Sequence, residues 1–591
     1  MRVMIWFRTG VLAIITALNI GGCLELRTGI AEIEDWCPES GFSEGSSWPV
    51  VHHDRCMTDY YPKPLPHCVE EAYFAHPELR LLANLSPGSD VAGTMYGTSL
   101  RPGVSNVFAA PATDRRRLVW EKDTGILAGL GAPTLGQVWR ISARALESAA
   151  QRARDQVWYE RAQGVTDPFF ADASRVRMNN GTVLPRPQWL VDALMQRLDV
   201  VYVTAGEPNE AGDGFTRTSV DAWLPDGTPL WRFPGTPTLP VASLSSNLTS
   251  DGHLVVNTIT GKILVFDGLN GTLRGRLDLW EDLAARHAAE AGTVPTSQTL
   301  LSVNTPAVSV DPATGLNRIY VTVVQSPLPK LTNNVFDYSA PELQAGYLVA
   351  AIWEPSTDNL SFGWSSYLGR KTKSETTPSI DPRTGNIVTV YSAEDEPDSR
   401  LYVFDPDGTE VASHPVTGKL YFSVTLHPGD LLSDTDDRLY MFFISGAEFF
   451  LQLRAFVFDR RTLELRQVYE PHATQDPYIN TGLVVDRDGI LYFAGKYISD
   501  GGKNDYLIVY DIREQLRDGG SNGPGKVLDR VRIRQTSCTT VSYDERTDLM
   551  FLPLLCPPVS VSSGFDTDWD EWGYHAFSRE GAGAGECVLD E

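Results

Sequence analysis

One phrase recurs along this 591-residue chain: an aliphatic run, then an aromatic, a polar residue and a turn. Its fullest copy is 251–279, DGHLVVNTITGKILVFDGLNGTLRGRLDL. Asp251-Gly252, Thr260-Gly261 and 267–271 are turn signals, and between them lie β-rich runs at 254–257, 263–266 and 273–277. Short strands separated by such turns predict an antiparallel meander. Closer copies are LYVFDPDGTEV (401–411), AFVFDRRTLEL (455–465) and YLIVYDIREQL (506–516). Looser ones are SVDAWLPDGTPLW (219–231), LVAAIWEPSTDNL (348–360) and GYHAFSREG (573–581).

The aromatics of these copies are Trp223, Phe266, Trp353, Phe404, Phe458, Tyr510 and Phe577, at intervals of 43 to 87 residues. A period of about four short strands that tolerates insertions predicts the blades of a β-propeller. The chain is therefore expected to be all-β, with seven blades, or eight if 78–125 supplies one through the degenerate copy RLVWEKDTG. From Ser302 onward each blade opens with a β run, an Asp-rich turn and a more apolar strand. The turn side chains are expected to bond their own backbone, and the apolar strand to be the buried middle of the blade. Closure of the ring is expected to pair a strand from the N-terminal region with the last blade, removing an exposed edge. Helical insertions are expected near 142–164, where Ala145, Leu146, Ala149, Ala153 and Val157 share a face, and near 278–292.

These repeats resemble the PQQ-like propeller repeat, the module of quinoprotein dehydrogenases and of the outer-membrane assembly lipoprotein of the BamB type. The match is best at 251–279, 401–411 and 219–231 and extends over about 185–580. In that repeat type a tryptophan at the position of Trp231 docks between neighbouring blades. The resemblance implies fold more strongly than activity, since propellers host unrelated functions.

The N-terminus reads as a targeting segment. Arg2 and Arg8 precede an apolar run at 11–20, and Ile20-Gly21-Gly22-Cys23 resembles a lipobox in which Cys23 is lipidated. An uncleaved signal anchor is the alternative. The expected organisation is a signal peptide at 1–22, a tether and disulfide-rich segment at 23–77, and the propeller at 78–591. Leu24 follows the modified cysteine, which by the rule for such lipoproteins implies the outer membrane, facing the periplasm or the cell surface. The other six cysteines, Cys37, Cys56, Cys68, Cys538, Cys556 and Cys587, flank the repeats and fit three disulfides in an oxidising compartment. A local pair between Cys538 and Cys556 and a bridge from the N-terminal segment to Cys587 are expected. A net charge of −25 argues against nucleic acid or an anionic lipid surface as a direct partner.

No complete catalytic signature is present: no G-x-S-x-G, H-E-x-x-H, P-loop, or G-x-G-x-x-G ahead of a helix. The adjacent cysteine pair of quinoprotein alcohol dehydrogenases is also missing. His52-His53-Asp54 and His67-Cys68 match no zinc spacing and read as loop residues. Asp566, Asp568 and Asp570 alternate in a way that can converge oxygens on Ca²⁺, against a solvated acidic loop as the alternative. Asp434, Asp436 and Asp437 are a weaker case, and Trp569 and Trp572 are candidates for stacking on a sugar. Sequons at Asn180, Asn247, Asn270 and Asn359 read as incidental beside a lipobox. The expected function is a monomeric, lipid-anchored envelope scaffold that holds a protein or small ligand on one propeller face. The alternative is a periplasmic oxidoreductase acting on alcohols or sugars, with PQQ and Ca²⁺ in the central channel. A plugged channel would count against that alternative.

Overall fold

The computed structural model of the chain describes residues 35–579, apart from internal stretches of which the longest are 142–164, 288–299 and 555–572. Eight antiparallel sheets follow one another as the blades of a β-propeller. Blade 3 shows how the repeat builds one. Ser246–Leu248 is its inner strand, Leu254–Asn257 and Lys262–Phe266 its middle strands, and Leu273–Asp278 its outer strand. Val255 pairs Val265 and Val256 pairs Leu264, so the two apolar strands lie side by side and are buried throughout Leu254–Asn257. Both faces of these strands pack on neighbouring blades, which is why they read as continuous aliphatic runs rather than as alternation.

The strands of blades 1 and 2 lie within 82–123 and 134–234, and those of blades 4 to 7 within 300–371, 379–417, 419–469 and 478–533. The seven recurring aromatics sit on the third strands of blades 2 to 8, and all seven are buried. Burying each such ring contributes about 1.5–3 kcal/mol. Blade 1 is the one the degenerate copy pointed to: Trp120–Asp123 is its outer strand. Blade 8 draws on both ends of the chain. Ser542–Asp544, Leu549–Leu554 and Gly573–Arg579 are its first three strands, and Val69–Ala75 is its outer strand. Val69 pairs Arg579 and Ala75 pairs Tyr574, so the expected N-terminal closure of the ring is present. The strand at 69–75 thus belongs to a blade, although the sequence set it in the leader. A helix, Leu279–His287, follows blade 3 and buries Leu279 and Leu283 against blade 4. The other expected helical insertion, 142–164, lies outside the described residues.

Contacts between blades follow from the repeat. Trp231, on the outer strand of blade 2, donates Nε1–H to the carbonyl of Gly268 in blade 3 at 2.9 Å. Trp120 makes the same bond from blade 1 to Pro225 of blade 2 at 2.8 Å, and Trp364 from blade 4 to Pro406 of blade 5 at 2.9 Å. Each indole rests on a turn glycine, Gly227, Gly271 or Gly408, whose φ is +80°, +70° or +90°. A Cβ at Gly271 would lie 2.5 Å from the Trp231 ring, so both backbone and packing require glycine there. The Asp-rich turns bond their own backbone, as expected. Asp405 accepts the amides of Asp407 and Thr409 at 3.0 and 2.8 Å, and Asp486 those of Asp488 and Ile490 at 3.0 and 2.9 Å. Asp381 in blade 5 does more. Arg460 of blade 6 grips it with Nε at 2.7 Å and Nη2 at 2.8 Å, and both side chains are almost fully buried.

Candidate functional site at the hub

A propeller surrounds an axial channel lined by its inner strands, each with one edge turned to the axis. The inner strands of blades 1 to 8 include Gly88–Ser89, Thr134–Ile141, Ser246–Leu248, Ala307–Val310, Ser379–Ile380, Thr425–His427, Val484–Asp486 and Ser542–Asp544. Unpaired edges of this kind must bind water, a ligand or more protein. Here residues 47–59 of the same chain bind them.

The segment makes one circuit. Trp48 accepts the amide of Ser89 in blade 1 at 3.1 Å, and Pro49 that of Leu135 in blade 2 at 2.6 Å. The Arg55 carbonyl takes Nδ2–H of Asn247 in blade 3 and the amide of Val308 in blade 4, both at 2.8 Å. Cys56 accepts from Ile380 in blade 5 at 2.9 Å, Thr58 from Leu426 in blade 6 at 2.8 Å, and Asp59 from Val485 in blade 7 at 3.0 Å. The Ser47 hydroxyl accepts the amide of Glu545 in blade 8 at 3.1 Å, completing the circle. Tyr60–Tyr61 then runs parallel to the inner strand of blade 7. A segment bonded to all eight blades can only lie on the axis. Trp48, Arg55, Cys56, Met57, Thr58, Asp59 and Tyr61 are all essentially inaccessible to solvent.

Covalent and electrostatic ties hold this plug. Cys37 and Cys56 form a disulfide across 5.8 Å between Cα atoms. Trp36 is stitched between blades, its amide donating to Pro382 and its carbonyl accepting from Val310, each within 3.0 Å. The turn at 52–59 closes on itself: the Asp59 amide donates to the His52 carbonyl at 3.1 Å, and His52 Nδ1 meets Asp59 Oδ2 at 2.8 Å. Four residues of this turn, His52, His53, Met57 and Asp59, have positive φ of 53–74°. None is glycine, so the turn holds conformations that L-residues rarely adopt. Burial lowers the pKa of His52, but the Asp59 carboxylate outweighs it and leaves the imidazole above its ordinary value. Burial likewise raises Asp59 above the usual carboxylate range, against the pull of His52. Burial brings the Arg55 guanidinium down to about 10, against Asp35, Asp251 and Asp54. It remains a cation at neutral pH, with the Phe42 ring 5.3 Å away.

The sequence-predicted sites fall as follows. Cys37 and Cys56 pair with each other, and Cys68 is also disulfide-bonded. Cys23, Cys538, Cys556 and Cys587 lie outside the described residues, as do Asp434, Asp436, Asp566, Asp568, Asp570, Trp569 and Trp572. Asp437 pairs with Arg461 at 2.7 Å. Among the described residues no three His, Cys, Asp or Glu side chains are grouped to hold a metal; the 52–54 run lies in the turn of the plug. No described helix is long and apolar enough to cross a membrane. Asn247 is fully buried with its amide bonded to Arg55 and Pro306, which removes its sequon as an acceptor. Where residues 47–59 meet the inner strands, the chain itself occupies the axis. The plug carries an arginine, an aspartate and a tryptophan whose carbonyls bond the blades, while Arg55 Nε and Nη1, Asp59 Oδ1 and Trp48 Nε1 are buried without a hydrogen-bond partner. Sequence reasoning took 23–77 for a leader packed on the ring and missed the plug. The one available signal was an apolar and aromatic content, WPVV and CMTDYY, too high for a solvated tether.

No protein-family model matches the chain, and no curated protein matches it. Solved structures do. A europium-containing methanol dehydrogenase aligns over 90% of this chain and 98% of its own at 12% identity, with a TM-score of 0.45. BamB from Moraxella catarrhalis aligns over 86% and 99% at 14% identity, with a TM-score of 0.40. A computationally designed protein, Ika8, aligns over 87% and 100% at 10% identity, with a TM-score of 0.38. At these identities the likeness concerns the fold alone.

Proposed function

We propose that the protein is a lipid-anchored scaffold of the cell envelope that holds a protein partner or small ligand on a face of its propeller. The observation that carries this reading is the filled axis. The space in which a propeller enzyme would seat a cofactor is bonded to all eight inner strands by residues 47–59. What remains for recognition is the turns that ring each face, on a frame made rigid by its hub. The lipobox at Cys23 and the Cys37–Cys56 bridge support an exported location. The net charge of −25 supports a partner other than nucleic acid or bare anionic lipid.

Two measurements test the reading together. Photo-crosslinkers placed in living cells at exposed turn positions, such as Asp407, are expected to capture a discrete envelope partner. Titration of the purified protein with PQQ and Ca²⁺ is expected to leave its melting temperature unchanged. A saturable rise that needs both ligands would overturn the proposal and reinstate the oxidoreductase. Replacing Cys23 with alanine is expected to move the protein from the membrane to the soluble fraction.

A further inference from the structure

The plug holds a titratable pair where the backbone is most constrained. We infer that the 52–59 turn is a pH-sensitive latch on the hub, closed while His52 carries a proton against Asp59 and loosened when that proton is lost.

The geometry supplies the argument. The turn has two clasps between the same residues: the main-chain bond from Asp59 to the His52 carbonyl, and the contact of His52 Nδ1 with Asp59 Oδ2. The Asp59 carboxylate is buried, and its second oxygen, Oδ1, has no hydrogen-bond partner. The imidazolium in contact with Oδ2 is therefore the main group that compensates its charge, with His53 a smaller contributor. When the ring loses its Nε2 proton, Nδ1–H can still donate, but a buried carboxylate is left without a countercharge. The four left-handed residues in this turn give the backbone an incentive to relax once the clasp weakens. Relaxation would reach the ring directly, because the carbonyls of Arg55, Cys56, Thr58 and Asp59 hold blades 4 to 7.

Two plug neighbours also bear on the pair: His53 acts on Asp59 more weakly than His52 does, and Asp54 acts on both members. Within the plug, His53 faces Asp54 at 3.7 Å and the rings of Trp48 and Tyr61 at 5.0 and 5.3 Å. Asp54 caps Thr58. From blade 6, His427 lies against Tyr60 and bonds the Arg487 carbonyl. From blade 7, Asp486 takes the Leu65 amide and the Tyr492 hydroxyl. From blade 8, Glu545 takes Tyr61 and Lys63, and Tyr543 bonds Asp548. The sign follows from both members of the pair. A histidine raised above its ordinary value stabilises the fold below about 6.5 and loses that contribution as pH rises through its folded value. A raised aspartate acts in the same direction.

Hydrogen exchange of the full-length protein between pH 5.5 and 8.5, corrected for intrinsic rates, tests the latch. Protection of the amides at 52–61 is expected to fall as pH rises, by up to about tenfold per pH unit for one linked proton. Strand Val104–Ala110 in blade 1, a blade that the 52–59 turn does not hold, is expected to keep its protection throughout. His52→Gln is expected to give low, pH-flat protection, and His53→Gln the wild-type slope. Should His52→Gln fail to fold, Asp59→Asn serves instead and is expected to give high, pH-flat protection. A flat wild-type profile, or a slope that survives in His52→Gln or Asp59→Asn, would overturn the inference.

Discussion

Arg460→Met should be among the most damaging single substitutions outside the hub. The guanidinium spans two blades, gripping Asp381 with two nitrogens and bonding the carbonyls of Pro428 and Arg438 at 2.8 and 2.9 Å. Removing it leaves the Asp381 carboxylate, which is fully buried, with the Thr384 hydroxyl and the Arg383 amide as its remaining partners. Breaking one side of such a pair costs about 3–5 kcal/mol, because the survivor is a buried charge without compensation. Asp381→Asn should cost less, since Arg460 keeps two carbonyl acceptors and an Asn can still cap the turn. In the double variant the buried charge is gone from both sides. Its loss should fall short of the summed single losses by about 2 kcal/mol. Urea unfolding of the four proteins with disulfides intact supplies the cycle, and the coupling should persist at high salt because the pair is shielded from solvent. A loss below about 1 kcal/mol in Arg460→Met, or strict additivity in the double variant, would refute the reasoning.

Three further outcomes are expected. Replacing both Cys37 and Cys56 by alanine opens a loop with a sequence separation of 19 and should cost about 3 kcal/mol in unfolding free energy, read in urea without reductant. Gly271→Ala forces a Cβ against the Trp231 ring at a positive φ and should lower stability by about 1–3 kcal/mol, with a change in near-ultraviolet dichroism from the displaced indole. Acid stability should be good down to about pH 4. Burial works against ionisation at Asp251, but His253 outweighs it and holds this carboxyl below its usual range. At Asp511, burial is likewise outweighed by Arg513. Depressed carboxylates of this kind stabilise the fold above their unfolded pKa, and that contribution is lost as pH falls through the folded values. A transition centred above pH 5 would contradict this assignment.

Blades 3, 5, 6 and 7 were legible because each keeps a short apolar strand, an aromatic and an Asp turn at near-constant spacing. The seven aromatics landed on equivalent strands because that position must fill the space between blades. Trp120 betrayed blade 1 although its other strands carry little of the repeat, since the indole needs the turn of blade 2 to rest on. The plug was not legible. Its burial comes from eight strand edges contributed by residues from Ser89 to Glu545, and no periodicity within 36–61 reflects partners so distant. The Cys37–Cys56 pairing was hidden for the same reason, because six cysteines leave many connectivities open. The 52–59 turn adds a further difficulty: its left-handed residues are His, Met and Asp, with no glycine among them to mark the conformation strongly in sequence.

The closing strand has a consequence for biosynthesis. Val69–Ala75 is made before the other blade strands, yet the strand it pairs with, Gly573–Arg579, is made after all of them. During synthesis the blades can form in order, but the ring stays open until residues 573–579 have emerged. Such long-range pairing makes the final step slow and exposes unpaired edges while the chain waits. A product truncated before Gly573 would never close, however sound its first seven blades. The joint therefore reports that synthesis has passed Arg579, and a chaperone or protease that senses open edges could sort closed rings from open ones by that single feature.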